Sequence, residues 1–153
     1  MRIQVTADIG RSNTHRLLEK YKNLGKKSLT VGIHKKDNKP YPNGATTAKV
    51  GFWHEFGVRD NDNDFRLVPR VWLRIFNLIE QEKSDLRQQV LLAFQNDDLD
   101  TALEEIGAYM KDRIRDRILS NEVVPHSHNK SGITLYDTGQ LVNSIDYEVN
   151  DVQ

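Results

Sequence analysis

The chain has 153 residues, 37% of them hydrophobic and 29% charged, with no cysteine; it is long enough for one domain with its own core, and a disulfide framework, a cysteine nucleophile and thiolate metal sites are excluded. Lys plus Arg and Asp plus Glu both number 22, so no global field draws the chain to polyanions and any nucleic-acid contact is confined to local patches. No stretch approaches the roughly 20 apolar residues that span a bilayer, and MRIQVTADIGR has no signal-peptide core, so we expect a soluble chain that folds in a reducing cytoplasm.

In chain order, the alternation of Ile3, Val5 and Ala7 predicts a short first strand. Ser12 or Asn13 then caps a helix over 13–24, carrying Leu17, Leu18, Tyr21 and Leu24 on one side and ended by Gly25. SLTVGIH, residues 28–34, reads as a strand, and Pro40, Pro42 and Asn43-Gly44 mark a mobile loop over 35–45. TTAKVGFWHEFG, residues 46–57, is ambiguous between strand and helix. Thr46 or Thr47 as cap and Val50, Trp53 and Phe56 at i, i+3 and i+6 favour a helix that stops at Gly57. VRDNDNDF is polar and aperiodic, giving a second mobile loop over 58–67.

Pro69 opens the clearest helix, with Trp72, Ile75, Phe76, Ile79, Leu86, Val90 and Phe94 on one stripe as far as Gln95, interrupted at Lys83. After Asn96-Asp97-Asp98, Thr101 and Glu104 have capping-box spacing, and Leu103, Ile106, Met110, Ile114 and Ile118 stripe a second long helix. A third mobile loop covers 121–132, Asp137 or Thr138 caps a short helix, and Ile145, Tyr147 and Val149 alternate as a last strand. The expected architecture is a single α+β domain over 1–153, with a small mixed or antiparallel sheet packed against two long α-helices and a shorter N-terminal helix.

Catalytic templates fail against the residues. His54-Glu55 lacks the second histidine of a zinc-protease helix, because position 58 is Val; GxSxG, GxGxxG and GxxxxGK[ST] do not occur. His126 and His128 are two ligand types without an evident third, and the acidic loop Asp60, Asp62 and Asp64 lacks the glycine and closing glutamate of a calcium loop. We therefore expect no enzyme activity, no cofactor and no metal. A metal-dependent hydrolase built from His54, Glu55, His126 and His128 is the weakest alternative. The helical run Lys111, Arg113, Arg115 and Arg117 reads either as a DNA-facing ridge or as a solvated face of ion pairs with Asp112 and Asp116.

Three strings resemble a known family. VGFWHEFGV followed by LVPRVWLR resembles the EFG, then P-x-R-x-aromatic-hydrophobic-R, signature of bacteriophage tail-completion and virion morphogenesis proteins, and LYDTGQLVNSIDYEV resembles their closing L-x-DTG-x-L-x-x-S-I-x-Y-x-V. Order and spacing agree over residues 46–149, while Val58, Val71 and the DNDND insertion depart from the family's pattern. The signature residues also have a physical reading. Glu55 and Phe56 close a helix at Gly57, Pro69 suits a first helical turn, Arg70 offers a fork to Glu55, and Asp137 or Thr138 before Gly139 makes a structural elbow.

The resemblance implies a neck or tail-completion subunit of the virion, at the head–tail junction or tail end, forming a homo-oligomeric ring that is commonly sixfold. It implies a tail terminator, tube subunits or head-completion and connector proteins as partners, with genomic DNA in the lumen and no membrane. Trp53 and Trp72, each beside apolar neighbours, read first as core, with either a candidate subunit contact, and Arg74, Lys35 and Lys36 are further candidate subunit or partner contacts. The alternative is a nucleic-acid-binding module that uses Lys111 to Arg117 and the Lys35 to Lys39 loop.

Overall fold

The computed structural model describes residues 11–59, 65–95, 98–125, 132–133, 135 and 138–152. The strand expected at Ile3 to Ala7, the loop residues Asp60, Asp62 and Asp64, His126, His128 and Asp137 lie outside them. The architecture is α+β: among the described residues there are six α-helices and two small sheets, each of two antiparallel strands.

Helix α1 (Arg11–Leu24) leads through a turn into strand β1 (Lys27–Gly32). The helix starts ahead of the expected Ser12 or Asn13 cap, and Gly25 is not in the left-handed region that a terminating glycine often adopts. The 35–45 stretch has a defined course: a short 3-10 turn at Lys35–Asp37, a bridge between Pro40 and Thr46, and Asn38 and Asn43 side chains accepting from the Ala48 and Ala45 backbone. Helix α2 (Thr47–Phe56) begins where expected, with Thr46 as cap, and stops at Gly57 at φ 76°. Its inward stripe is not Val50, Trp53 and Phe56. Thr47, Gly51 and Glu55 are buried instead, and Phe52 and Phe56 face outward.

The loop expected over 58–67 is partly a hairpin, with β2 (Val58–Arg59) pairing antiparallel with β3 (Phe65–Leu67). The helix expected from Pro69 to Gln95 is two helices: α3 (Ile75–Leu78), then Ile79 in extended geometry, then α4 (Glu80–Ala93). The late start arises because the backbone N–H groups of 72–74 are held by Glu55. The interruption assigned to Lys83 belongs to Glu82, which is buried on the inner face of α4.

Helix α5 (Leu99–Leu119) is capped by Asp98, whose side chain accepts from the Thr101 N–H; Thr101 is the capped residue and not the cap. Its inward residues Leu103, Ile106, Ile114 and Ile118 follow the expected stripe. A short α6 (Gln140–Asn143) precedes β4 (Asp146–Asp151), which pairs with β1 so that Leu29 faces Val149 and Val31 faces Tyr147.

Helix α5 lies across the β1–β4 sheet with α4 alongside it. The close approach depends on Gly107, where a Cβ would sit 2.7 Å from Tyr147 Cγ and 2.8 Å from Leu29 Cδ1. Glycine within a helix costs about 1 kcal/mol against alanine, and here it lets the helix settle onto the sheet. The main core gathers Trp72, Ile75, Ile114, Ile118, Val123 and Ile145, so the start of the loop expected at 121–132 is pinned through Val123.

Candidate functional site

The signature segments meet at the inner end of α2. Glu55 is 1% exposed, and its carboxylate is surrounded by donors from a stretch seventeen to nineteen residues further on. Oε2 accepts from the Trp72 and Leu73 backbone N–H groups, both at 2.9 Å, and Oε1 accepts from the Arg74 N–H at 3.3 Å and from Arg74 Nε at 2.8 Å. Three consecutive amides therefore wrap one carboxylate, which supplies the charge-assisted bonds that a buried anion requires. The chain cannot begin a helix at Pro69 while these amides point back at α2, and α3 starts one residue after the last of them.

Trp72 is 2% exposed and its indole N–H donates to Gly51 O at 3.1 Å. A Cβ on Gly51 would meet the Trp72 ring at 2.9 Å, so the small residue on α2 is what admits the indole. Gly57 is needed twice over: its φ of 76° favours glycine, and a Cβ there would lie 2.6 Å from Leu67 O and 2.9 Å from Pro69.

The fork of Arg70 does not reach Glu55. Arg70 N donates to His54 O at 2.7 Å, Nε to Pro125 O at 2.8 Å and one terminal nitrogen to Val68 O at 3.2 Å. The expected Arg70–Glu55 pair is corrected to Arg74–Glu55, while Arg70 ties α2 to the chain after α5 through carbonyl oxygens. Burial lowers the Arg70 guanidinium from its usual value. Burial first, and the Arg70 charge second, push the His54 imidazole down to about 4, so it is neutral at pH 7.

The C-terminal segment joins the same junction. Gly139, not Thr138, is the N-cap of α6, in the left-handed region at φ 75° and with no side-chain cap, while the Thr138 hydroxyl just ahead of it accepts from Gln140 N at 3.3 Å, so the elbow is present without the expected cap. Gln140 then reaches across with its side-chain amide, donating to Thr47 Oγ1 at 3.0 Å and Lys39 O at 3.2 Å. Leu141, Val142 and Ile145 pack with Trp72 in the core.

The four cations of KDRIRDR are engaged within the chain. Arg113 and Arg117 converge on Glu82, which is 2% exposed, at 2.6 and 3.1 Å, and both also reach Glu122. Arg115 donates to Ile145 O at 2.7 Å, and Lys111 lies 3.8 Å from Asp146 and over the Tyr147 ring. The acids that matter, Glu82 and Glu122, lie outside the motif, whereas the sequence reading pointed to Asp112 and Asp116. This arrangement clamps α4 to α5 and does not form a row of outward cations.

Among the contact candidates, Trp72 is core. Trp53 is half-buried with Lys49 Nζ 5.0 Å from its ring centroid, and Lys36 pairs with Asp146 and Glu148 while Lys35 is exposed. Arg74 is 40% exposed in its side chain, with its guanidinium 4.4 Å from the Phe56 ring centroid. Sequence reasoning missed Arg74 as the partner of Glu55, Gln140 as the bridge to α2, and Glu82 as a buried anion. An acid on an otherwise inward-facing helix position was the available signal for Glu82.

Chemically, every Glu55 oxygen is occupied by donors, and among the described residues no group of three or more His, Cys, Asp and Glu could hold a metal. The arrangement fixes geometry: it locks α2, the 69–74 segment and α6 into one rigid junction. In comparisons with protein families, with curated proteins and with solved structures, nothing matches the chain.

Proposed function

We propose that this chain is a structural subunit of a bacteriophage neck or tail end, forming a ring that completes the tail or joins head and tail. The observation that carries the reading is the junction itself. The three strings that resemble the tail-completion signature are distant in sequence, yet Glu55 and the Trp72 to Arg74 amides join the first two, and Gln140 of the third reaches Thr47 on the same helix α2. Residues selected to hold one element against another, with their polar atoms consumed internally, suit a scaffold whose task is to present surfaces. In-chain pairing of Arg113, Arg115 and Arg117 disfavours the nucleic-acid alternative, which needs cations free to exchange counterions for phosphates.

Light scattering with negative-stain imaging, over a concentration series at two salt levels, tests this. The expected result is rings of one defined symmetry, six subunits being the number the resemblance implies. A chain that stays monomeric at every concentration, and forms no ring when tail-terminator or tube subunits are added, overturns the reading.

A further inference from the structure

Asn43-Gly44 is the one Asn-Gly pair in the chain. It closes a four-residue turn, with Pro42 at the second position, where a fixed φ suits the bend, and the Gly44 N–H donating to Tyr41 O at 2.9 Å. Gly44 sits at φ 81°, and a Cβ built there would meet nothing within 4 Å. Asn43 and Gly44 are both exposed. The Asn43 side chain is folded toward the backbone that follows it, its Oδ1 accepting from the Ala45 N–H at 3.1 Å.

These features favour attack of the Gly44 nitrogen on the Asn43 amide. A donor on Oδ1 withdraws charge from Cγ and takes up the charge that such an attack places on the oxygen. Glycine leaves the attacking nitrogen unshielded, having no side chain of its own. The bond to Tyr41 O opposes the reaction, because it occupies the N–H that must be lost. It is one hydrogen bond in an exposed turn, however, and opens locally without unfolding of the domain. Asn143-Ser144 shows the contrast: Ser144 is 4% exposed, and its N–H donates to Gln140 O and Leu141 O, both at 3.1 Å, at the end of α6.

We propose that Asn43 deamidates of its own accord in the folded protein and that the product loosens the start of α2. The Gly44 nitrogen, having given its proton to hydroxide, forms a bond to Asn43 Cγ. The bond from Cγ to the side-chain nitrogen breaks, and ammonia leaves with a proton from water, which regenerates the hydroxide and leaves a succinimide ring. Water then opens the ring at one carbonyl or the other, giving aspartate or isoaspartate at 43. Either product adds a carboxylate, so that 22 cations face 22 + 1 anions. Isoaspartate also carries the main chain through the side-chain carbon, which lengthens it by one atom. The added atom falls between the Tyr41 N–H and the Ala45 O that accepts from it at 2.7 Å, and inside the Pro40–Thr46 bridge. Those contacts set Thr46 at the N-cap of α2, where its side chain accepts from Lys49 N, and hold Thr47, whose N–H and hydroxyl both donate to Lys39 O. The change is thereby passed to the helix that carries Glu55.

The test keeps the full chain warm at stepped pH above neutrality, beside the same chain unfolded in urea and an Asn43→Gln variant, whose longer side chain closes a ring far less readily. Isoelectric focusing follows the added charge, peptide mapping locates it, and isoaspartyl methyltransferase labelling counts the isoaspartate. An acidic band should grow in the folded wild type, faster at higher pH, with the change at Asn43 and not at Asn143. Its rate should be about tenfold below that of the urea-unfolded chain, the retardation that one turn hydrogen bond provides. The isoaspartate fraction, separated by ion exchange, should melt about 3–6 °C lower, the shift that a lost helix cap produces in a chain of this length. An Asn43 that stays intact in the folded chain while it deamidates in urea, or an acidic band that grows equally in Asn43→Gln, overturns the site. An isoaspartate fraction that melts with the unmodified chain overturns the link to α2.

Discussion

Replacing Glu55 separates two accounts of the junction: a carboxylate that holds backbone amides, or one that holds an arginine. In Glu55→Ala the Trp72, Leu73 and Arg74 N–H groups lose their acceptor together. Each orphaned donor costs about 1–3 kcal/mol, and water reaches the part-buried Leu73 and Arg74 amides, so the total is about 4–5 kcal/mol. That is a large share of the roughly 5–15 kcal/mol that holds an ordinary domain together. Glu55→Gln keeps one oxygen for two of the amides but turns an NH2 toward the Arg74 donors, and should cost about 2–3 kcal/mol. Arg74→Ala removes one bond from a side chain that is 40% exposed, and solvent screening limits that loss to about 1 kcal/mol or less.

Urea unfolding followed by tryptophan fluorescence and far-ultraviolet circular dichroism gives all three values, because Trp72 is buried with its indole N–H bonded to Gly51 O. The expected order of stability is wild type, Arg74→Ala, Glu55→Gln, Glu55→Ala. A loss in Arg74→Ala equal to that in Glu55→Ala would falsify the amide-holding account and make the ion pair the dominant interaction.

Gly107→Ala should destabilise by about 1–2 kcal/mol despite alanine's better helix propensity, since its methyl meets Tyr147 and Leu29 at 2.7 and 2.8 Å; a thermal melt showing stabilisation would mean that α5 can lift from the sheet at no cost. His54 has a folded pKa of about 4 against an ordinary 6.5. As pH falls below 6.5 the unfolded chain takes up the proton first, so stability should drop by up to about 3 kcal/mol between pH 6.5 and 4 and then level off. His54→Gln should flatten that window in urea titrations at stepped pH, and an unchanged slope would assign the dependence to other groups. Glu82→Ala leaves Arg113 and Arg117 with only Glu122, for a loss of roughly 3 kcal/mol; a change under 1 kcal/mol in denaturant would show that the cluster is solvated.

The sequence made α2, α5, β1 and β4 legible because their signals are local. Thr46 and Gly57 bracket α2, Leu103 to Ile118 stripe α5, and the alternation at Ile145, Tyr147 and Val149 marks β4. What was not legible depends on residues far apart. The break of the Pro69 helix follows from Glu55 taking three amides, an interaction no window around Pro69 contains. The inward face of α2 was misread for the same reason: periodicity assumes apolar residues turn inward, but Gly51 admits Trp72 and Glu55 finds donors, so the polar and small face is buried. Arg70 and Arg74 stand four apart and are equal candidates on the page of the sequence. Only the turn at 72–74 decides that Arg74 meets the carboxylate and Arg70 meets Pro125 O and Val68 O.

That inversion of α2 links the clamp to the surface. Rotating the helix to bury Phe52 and Phe56, each about half buried already, would gain about 1–1.5 kcal/mol for each ring, less than the Glu55 network contributes. The rotation would strip the carboxylate of its backbone donors and push the indole of Trp72 off Gly51 O. The network therefore opposes a burial that hydrophobicity alone would favour, and the aromatic pair stays exposed. On the ring reading this is the use of a buried glutamate in so small a domain: directional bonds inside the subunit keep an apolar surface outward. Glu55→Gln, if it folds, should thus lose assembly beyond its loss of stability.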